Sequence, residues 1–159
     1  MIVKIGVKTL AEQLVAYHAL KLGEGEAEAF AKLNAEAHEK GVRVNDPTMI
    51  IYYDPRDAKG CRREVLVPVD REATGLKTKK LPPLRAGFIV YSGAAKPVEY
   101  YYDELKKHLD SRGLKPAAGS FCSMEAVYQP DTYGLSSGSF IDEDAQENWT
   151  TEILLPIEG

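Results

Sequence analysis

Cysteine and histidine are scarce in this sequence, and long apolar runs are missing. The 159 residues contain two cysteines, Cys61 and Cys122, and three scattered histidines, His18, His38 and His108. We therefore expect free thiols and no metal site, because no spacing among these residues is typical of a disulfide framework or a ligand set. No apolar run approaches the roughly 18 residues of a membrane span. The first residues also lack the pattern of a signal peptide, so the sequence predicts a cytoplasmic protein without membrane contact.

Basic residues are fewer than acidic ones, with 20 Lys and Arg against 24 Asp and Glu, which gives a net charge of −4. This balance favours a neutral or cationic partner and excludes the basic footprint of direct nucleic-acid binding. Hydrophobic residues make up 44% of the chain and charged residues 28%, as in ordinary globular domains. The length suits one domain, and we expect it to fold without a cofactor.

Two amphipathic helices are predicted, over 26–40 and 97–112. Apolar residues recur at helical spacing in both, and each helix ends at a glycine, Gly41 or Gly113. One apolar run precedes each helix and two follow it, as strands would. The runs are 14–22, 48–55 and 64–69 in the first half, and 84–91, 123–130 and 152–157 in the second.

The two halves keep a common register, because Gly113 follows Gly41 by 72 positions and Pro130 follows Pro55 by 75. The sequence therefore predicts an α+β domain built by internal duplication of a strand-helix-strand-strand unit. We assign half 1 to about 1–70, a linker to 71–80 and half 2 to about 81–159. The linker region is polar and basic, which indicates a solvated connection. The long acidic segment 131–149 breaks the repeat and is a candidate lid.

Several segments together resemble the gyrase-inhibitor-like family, the effector-binding domain of bacterial multidrug-sensing transcription activators. They are Leu-Arg-Ala-Gly-Phe-Ile-Val-Tyr-Ser-Gly at 84–93, the tyrosine-rich helix at 99–109, Arg-Gly-Leu at 112–114, Met-Glu-Ala-Val-Tyr-Gln-Pro at 124–130 and Thr-Glu-Ile-Leu-Leu-Pro-Ile at 151–157. The resemblance implies a curved antiparallel sheet with both helices behind it and a ligand cleft between the halves in front. It also implies multidrug binding linked to transcription regulation. The first half departs from the family by having Leu-Gly-Glu-Gly at 22–25 in place of Gly-Pro-Tyr. Since the first predicted strand starts near residue 2, we expect a stand-alone version of the domain.

Glu125 is the leading candidate site residue. It lies inside an apolar strand, and its counterpart in the first half, by the 75-residue offset, is Ile50. A carboxylate facing a partly desolvated cavity needs compensation, so it points to a cationic ligand or to proton transfer. The alternative is a structural glutamate at a sheet edge. The resembling activators use an acidic residue near this place to meet cationic aromatic drugs.

Glu64 and Glu152 occupy equivalent positions at the start of the last strand of each half. Alternation places Glu64 on the face opposite Val65, Val67 and Val69, and Glu152 on the face opposite Ile153, Leu155 and Ile157. Either that face lines the cleft and the two carboxylates join the site, or it faces solvent and they are surface polar groups.

The nine tyrosines are numerous, and aromatic rings around a carboxylate suit a flat cation. Tyr52, Tyr91 and Trp149 are the predicted walls of the cleft. The resembling activators place an aromatic residue that stacks on the drug close to the position of Trp149. We assign the three consecutive tyrosines at 100–102 to helix packing, with at least one in the core and another exposed.

Three functions follow as hypotheses. The first is binding of small apolar or cationic aromatic molecules, for sensing or sequestration. The second, which some stand-alone relatives suggest, is hydrolysis of electrophilic cyclopropane-containing or similar toxic compounds in the same cleft. There Glu125 would activate water and a hydroxyl such as that of Tyr91 would stabilise developing charge. The third is a protein partner, either a regulator or DNA gyrase, which the chain would inhibit by direct contact.

Overall fold

The structure, a computed structural model, describes residues 1–93, 95–117, 121–128 and 149–159. The predicted lid, 131–149, lies outside the described residues except for Trp149. Strands and helices follow one another in the order β1 (Ile2–Leu10), β2 (Gln13–Ala19), α1 (Glu26–Glu39), β3 (Thr48–Tyr52), β4 (Arg63–Pro68), β5 (Thr78–Leu81), β6 (Leu84–Ser92), α2 (Val98–Ser111), β7 (Ser123–Tyr128) and β8 (Thr150–Pro156).

Both predicted helices form within about a residue of their expected bounds. α2 follows Pro97, whose fixed φ and missing N–H suit a helix start. Gly41 and Gly113 take positive φ values of 67° and 69° just after the helices, a conformation that side chains with a Cβ disfavour. Within the described residues, neither helix is long and apolar enough to cross a membrane.

The strands form one curved, open antiparallel sheet, which confirms the α+β prediction. Their order is β1-β6-β8-β7-β3-β4-β2-β5. The order of the six inner strands is symmetric about the centre of the sheet. From the edge inward, the second half contributes β6, β8 and β7, and the first half contributes the corresponding strands β2, β4 and β3. β3 and β7 therefore pair at the centre of the sheet. That the symmetry comes from an internal duplication stays a prediction.

Both helices pack on one face of the sheet, called here the helix face. α1 contacts β2 and β4, whereas α2 contacts β1 and β6, so the central strands β3 and β7 lie between them. Leu33 of α1 packs on Val65, and Leu105 of α2 packs with Ile89 and Ile153. The opposite face, called the inner face, has its own buried cluster of apolar side chains, which includes Met49, Leu66, Met124, Phe88 and Leu154.

The predicted solvated linker contains a strand. β5 pairs antiparallel with β2 and is the edge strand of the sheet on that side. Its sequence, Thr-Lys-Lys-Leu, is too polar to indicate a strand, but lysines are common on edge strands because they discourage pairing with another chain. Consequently Lys79, read as part of a linker, has a defined place in the sheet.

Candidate functional site

Glu125 is the middle member of a row of directly paired residues that crosses seven strands on the helix face. Except for His18, the other members are apolar, and the full row is Ile5, Ile89, Ile153, Glu125, Ile50, Val65 and His18. The carboxylate therefore projects into the gap between the two helices. Only 12% of its side chain is exposed. The charge must be compensated by neighbouring groups, since a buried carboxylate without partners is costly.

Two donors meet Glu125, both at Oε2. Nε of Arg56 donates to it at 2.8 Å, and the hydroxyl of Tyr102 on α2 donates to it at 2.7 Å. The Tyr102 hydroxyl also lies 3.1 Å from Oγ of Ser123, the first residue of β7. One carboxylate oxygen thus links the turn after β3, helix α2 and strand β7.

The guanidinium of Arg56 has three different neighbours. It lies over the ring of Tyr52, with 5.5 Å between Cζ and the ring centroid, and its Nη1 is 3.5 Å from Oε1 of Glu99. Burial lowers the pKa of Arg56, but the charge of Glu125 and the contacts with Glu125 and Tyr52 together outweigh it, so the net shift is upward. The side chain therefore stays cationic, and it is 38% exposed.

Three buried tyrosines surround the carboxylate. Burial, reinforced by the charge of Glu125, raises the pKa of Tyr52 and of Tyr91 to about 12 and raises that of Tyr102 still further. Their hydroxyls consequently stay protonated at neutral pH and can donate hydrogen bonds. Tyr91 already stacks on Tyr101 of α2, with ring centroids 3.5 Å apart and planes 4° from parallel. One face of the predicted Tyr91 wall is thus covered by the protein itself.

A cavity of about 910 Å³ runs along α2 on the helix face, and we call it the α2 cavity. Arg56, Tyr102 and Ser123, which border Glu125, all line it. Basic and acidic side chains of the helix stand at its wall, together with apolar groups from the end of β8. These further lining residues are Glu99, Asp103, Lys106, Asp110, Leu155 and Ile157. The volume suits a drug-sized organic molecule.

Glu64 and Glu152 lie on the inner face, away from Glu125. They lie opposite Val65 and Val67 or Ile153 and Leu155, as the alternation predicts, and their role in ligand binding stays a prediction. They are only 7% and 3% exposed, so they are not solvent-facing groups. Glu64 pairs with Lys79 and accepts a hydrogen bond from Tyr53 at 2.9 Å, while Glu152 pairs with Lys8. Alternation along the strands keeps them apart from the carboxylate on the other face.

The side of the sheet that the resemblance assigns to the cleft carries the inner-face cluster. A smaller cavity of about 350 Å³ remains there, lined by Tyr53, Lys79, Leu81 and Phe121 among others. The candidate carboxylate, Glu125, instead shares the face that carries the helices. In the described ranges, no three Cys, His, Asp or Glu side chains cluster as metal ligands would.

Trp149 directly precedes β8 and is half-buried, and its carbonyl accepts a hydrogen bond from Gly93. Its role as a wall stays a prediction. The tyrosines of α2 divide as expected, since Tyr101 and Tyr102 are buried and Tyr100 is 38% exposed. Cys61 and Cys122 are free thiols.

Arg56 and Tyr102 are the partners of Glu125 that the sequence did not reveal. Tyr102 follows Val98 by four positions and precedes Leu105 by three, so helical periodicity alone places it on the sheet-facing side. Arg56 carries no comparable signal. It follows a proline in a polar turn, and only the folding of that turn over β7 brings it to the carboxylate.

Solved structures share this fold. The C-terminal domain of EcmrR is 16% identical, with 98% of this chain and 97% of that one covered at a TM-score of 0.72. A hydrolase from Listeria innocua is 13% identical, with 98% and 92% covered at a TM-score of 0.60. SAV2435 bound to tetraphenylphosphonium is 12% identical, with 98% and 94% covered at a TM-score of 0.53. Neither a family model nor a curated protein sequence matches the chain.

These similarities extend over nearly the whole chain. The fold is that of a gyrase-inhibitor-like domain, and the resemblance read from the sequence is confirmed at this level. Identities of 12–16% define the fold and leave the ligand to be argued from the site.

Proposed function

We propose that the protein binds small organic molecules, apolar or cationic and aromatic, in the α2 cavity, and so senses or sequesters them. The observation that carries the proposal is Glu125, a carboxylate placed between the two helices among buried tyrosines. Charge of this kind in an apolar row costs stability, which is a reason to look for a function. The adjoining cavity of about 910 Å³ has the size of a drug-sized ligand.

The solved structures support this proposal at the level of a shared architecture. SAV2435 has the same fold and is bound to tetraphenylphosphonium, a delocalised organic cation with four aromatic rings. In the present chain, a carboxylate and aromatic rings stand together beside a cavity, and this combination attracts such cations by charge and by cation–π contact. Tetraphenylphosphonium is therefore the first probe to use.

A second candidate function is hydrolysis of electrophilic compounds in the same cavity. The observations that favour it are the short contact between Tyr102 and Glu125 and the shared fold with a hydrolase from Listeria innocua. A protonated tyrosine beside a carboxylate can supply a hydrogen-bond donor and a general base. Tyr91, the hydroxyl named from the sequence, keeps its proton at neutral pH because its pKa is raised to about 12.

Binding is tested with tetraphenylphosphonium, cationic dyes and electrophilic natural products, followed by thermal shift and by the fluorescence of Trp149. We expect the ligands to stabilise the wild type, and we expect Glu125→Gln to lower the affinity for them at least about tenfold. Glu104→Gln is the matched control, because it makes the same charge change on α2 at a residue that pairs with Lys107.

Chromatography of the incubated compounds separates the two functions. Stoichiometric recovery of unchanged ligand supports binding, whereas accumulation of a product that requires Glu125 supports the hydrolase. Ligands that bind equally well to wild type and Glu125→Gln would contradict both proposals, since each depends on this carboxylate.

A further inference from the structure

Arg56 occupies the place that a ligand's cation would take. Its guanidinium meets the carboxylate of Glu125 at 2.8 Å and the ring of Tyr52 at 5.5 Å. A carboxylate and an aromatic face are the two features by which an organic cation is recognised. From this geometry we infer that Arg56 is a built-in competitor: ligands enter the Glu125 site by exchanging with its guanidinium. This inference rests on the proposed binding function and adds the group that a bound cation must displace.

Glu125, Glu64 and Glu152 each pair with a cation of the protein that also approaches an aromatic ring. On the inner face, Nζ of Lys79 lies 4.5 Å from the ring centroid of Tyr17 and Nζ of Lys8 lies 4.6 Å from that of Phe88. These lysines pair with Glu64 and Glu152. Both are held in strands, β5 and β1, whereas Arg56 belongs to the turn between β3 and β4. Of these three cations, Arg56 is the one whose backbone is outside the sheet.

Exposure decides which partner can leave. Arg56 is 38% exposed and Glu125 only 12%, so the guanidinium can turn into water at a modest cost while the carboxylate cannot. Glu99, 70% exposed and 3.5 Å from Nη1 of Arg56, provides a second carboxylate at the cavity wall. The displaced guanidinium thus keeps a partner.

Exchange has a consequence for selectivity. A cationic ligand that displaces Arg56 leaves Glu125 paired, so the charge of the site is unchanged. A neutral ligand of the same shape would leave a buried carboxylate without a counter-ion, so we expect it to bind in the α2 cavity without displacing Arg56. Weakly hydrated cations that spread their charge over aromatic rings are favoured. They lose little hydration free energy on binding, and they make cation–π contacts with the tyrosine rings.

The test measures affinities by isothermal titration for tetraphenylphosphonium and for triphenylphosphine oxide, a neutral compound with similar rings. We expect Arg56→Gln to tighten tetraphenylphosphonium binding about tenfold and to leave the neutral compound unchanged. Adding Glu125→Gln should abolish the gain. Arg62→Gln, in the same turn but paired with Asp54, is the matched control and should bind like the wild type.

A second measurement uses the wild type and does not depend on the stability of a variant. The Nε–H resonance of Arg56 should be protected in the free protein and exchange rapidly with water once tetraphenylphosphonium saturates the site. Unchanged protection at saturation would overturn the exchange, as would equal or weaker cation binding by a folded Arg56→Gln protein. Either result leaves the proposed function standing if binding still requires Glu125. Absence of binding by wild type and Arg56→Gln alike would overturn both.

Discussion

Ile50 and Glu125 stand directly opposite each other on the central strands β3 and β7. They are also the two positions that the 75-residue offset of the sequence equates. A position near the centre of the symmetric strand order is thus apolar in one half and charged in the other. The single carboxylate acquires two different surroundings, the turn that carries Arg56 on one side and helix α2 with Tyr102 on the other.

Replacing Glu125 by isoleucine separates function from stability. Ile50 shows that isoleucine suits this row, and Arg56 is exposed enough to be hydrated without its partner. We expect the free energy of unfolding to change by less than about 1 kcal/mol, while cation binding falls by at least about tenfold. Urea unfolding and titration calorimetry measure the two effects. A loss of stability above about 3 kcal/mol would indicate that the carboxylate is structural.

Lys79→Met should destabilise the fold, because it leaves the buried carboxylate of Glu64 with Tyr53 as its remaining partner. We expect a loss of about 3 kcal/mol in the free energy of unfolding. Glu64→Gln in the same chain should restore much of it, since the amide carries no charge. Lys80→Met, at an exposed position of the same strand, is the control and should change stability little. Similar losses for both lysines would contradict a specific ion pair.

Gly87 allows α2 to approach β6 closely. A Cβ added there would lie 2.5 Å from Cδ2 of Leu109 on the helix. Gly87→Ala should therefore lower the free energy of unfolding by about 1–3 kcal/mol through overpacking, and should weaken ligand binding by moving the helix that carries Tyr102. Gly6→Ala, whose Cβ would meet Phe88 at 3.4 Å, should be tolerated. Denaturant unfolding of the two variants gives the comparison.

The buried tyrosines predict how stability depends on alkaline pH. Burial, with the charge of Glu125, raises the pKa of Tyr52 and Tyr91 to about 12 and that of Tyr102 further, from an ordinary value of 10.0. Above pH 10 the unfolded chain releases protons that the folded chain retains, so the free energy of unfolding falls as pH rises toward 12.

Tyrosinate absorbance provides the measurement. At a pH between 10 and about 12, the folded protein should show fewer ionised tyrosines than the same protein in denaturant. Tyr102→Phe removes one of the late-titrating groups and should reduce the difference. Coincident titration curves for the folded and denatured protein would contradict the burial of these hydroxyls.

Most of the secondary structure could be predicted because it depends on local patterns. The apolar spacing of 98–109 and the glycine after it define α2, and Glu125 is conspicuous as a charge within an apolar strand. β5 could not be predicted, because its polar sequence is a strand only by pairing with β2. The lid predicted over 131–149 stays a prediction.

The sequence by itself determined most of the elements, their order in two similar halves and the alternation that puts Glu64 and Glu152 on the face opposite Val65 and Ile153. These follow from periodicity and turn chemistry within short segments. The tertiary structure alone decided which carboxylates share a site and what neutralises each one. Glu125 and Arg56 are 69 positions apart, and Glu152 and Lys8 are 144 apart. Such pairings depend on strand order and on which face of the sheet the helices cover, and no local pattern encodes either.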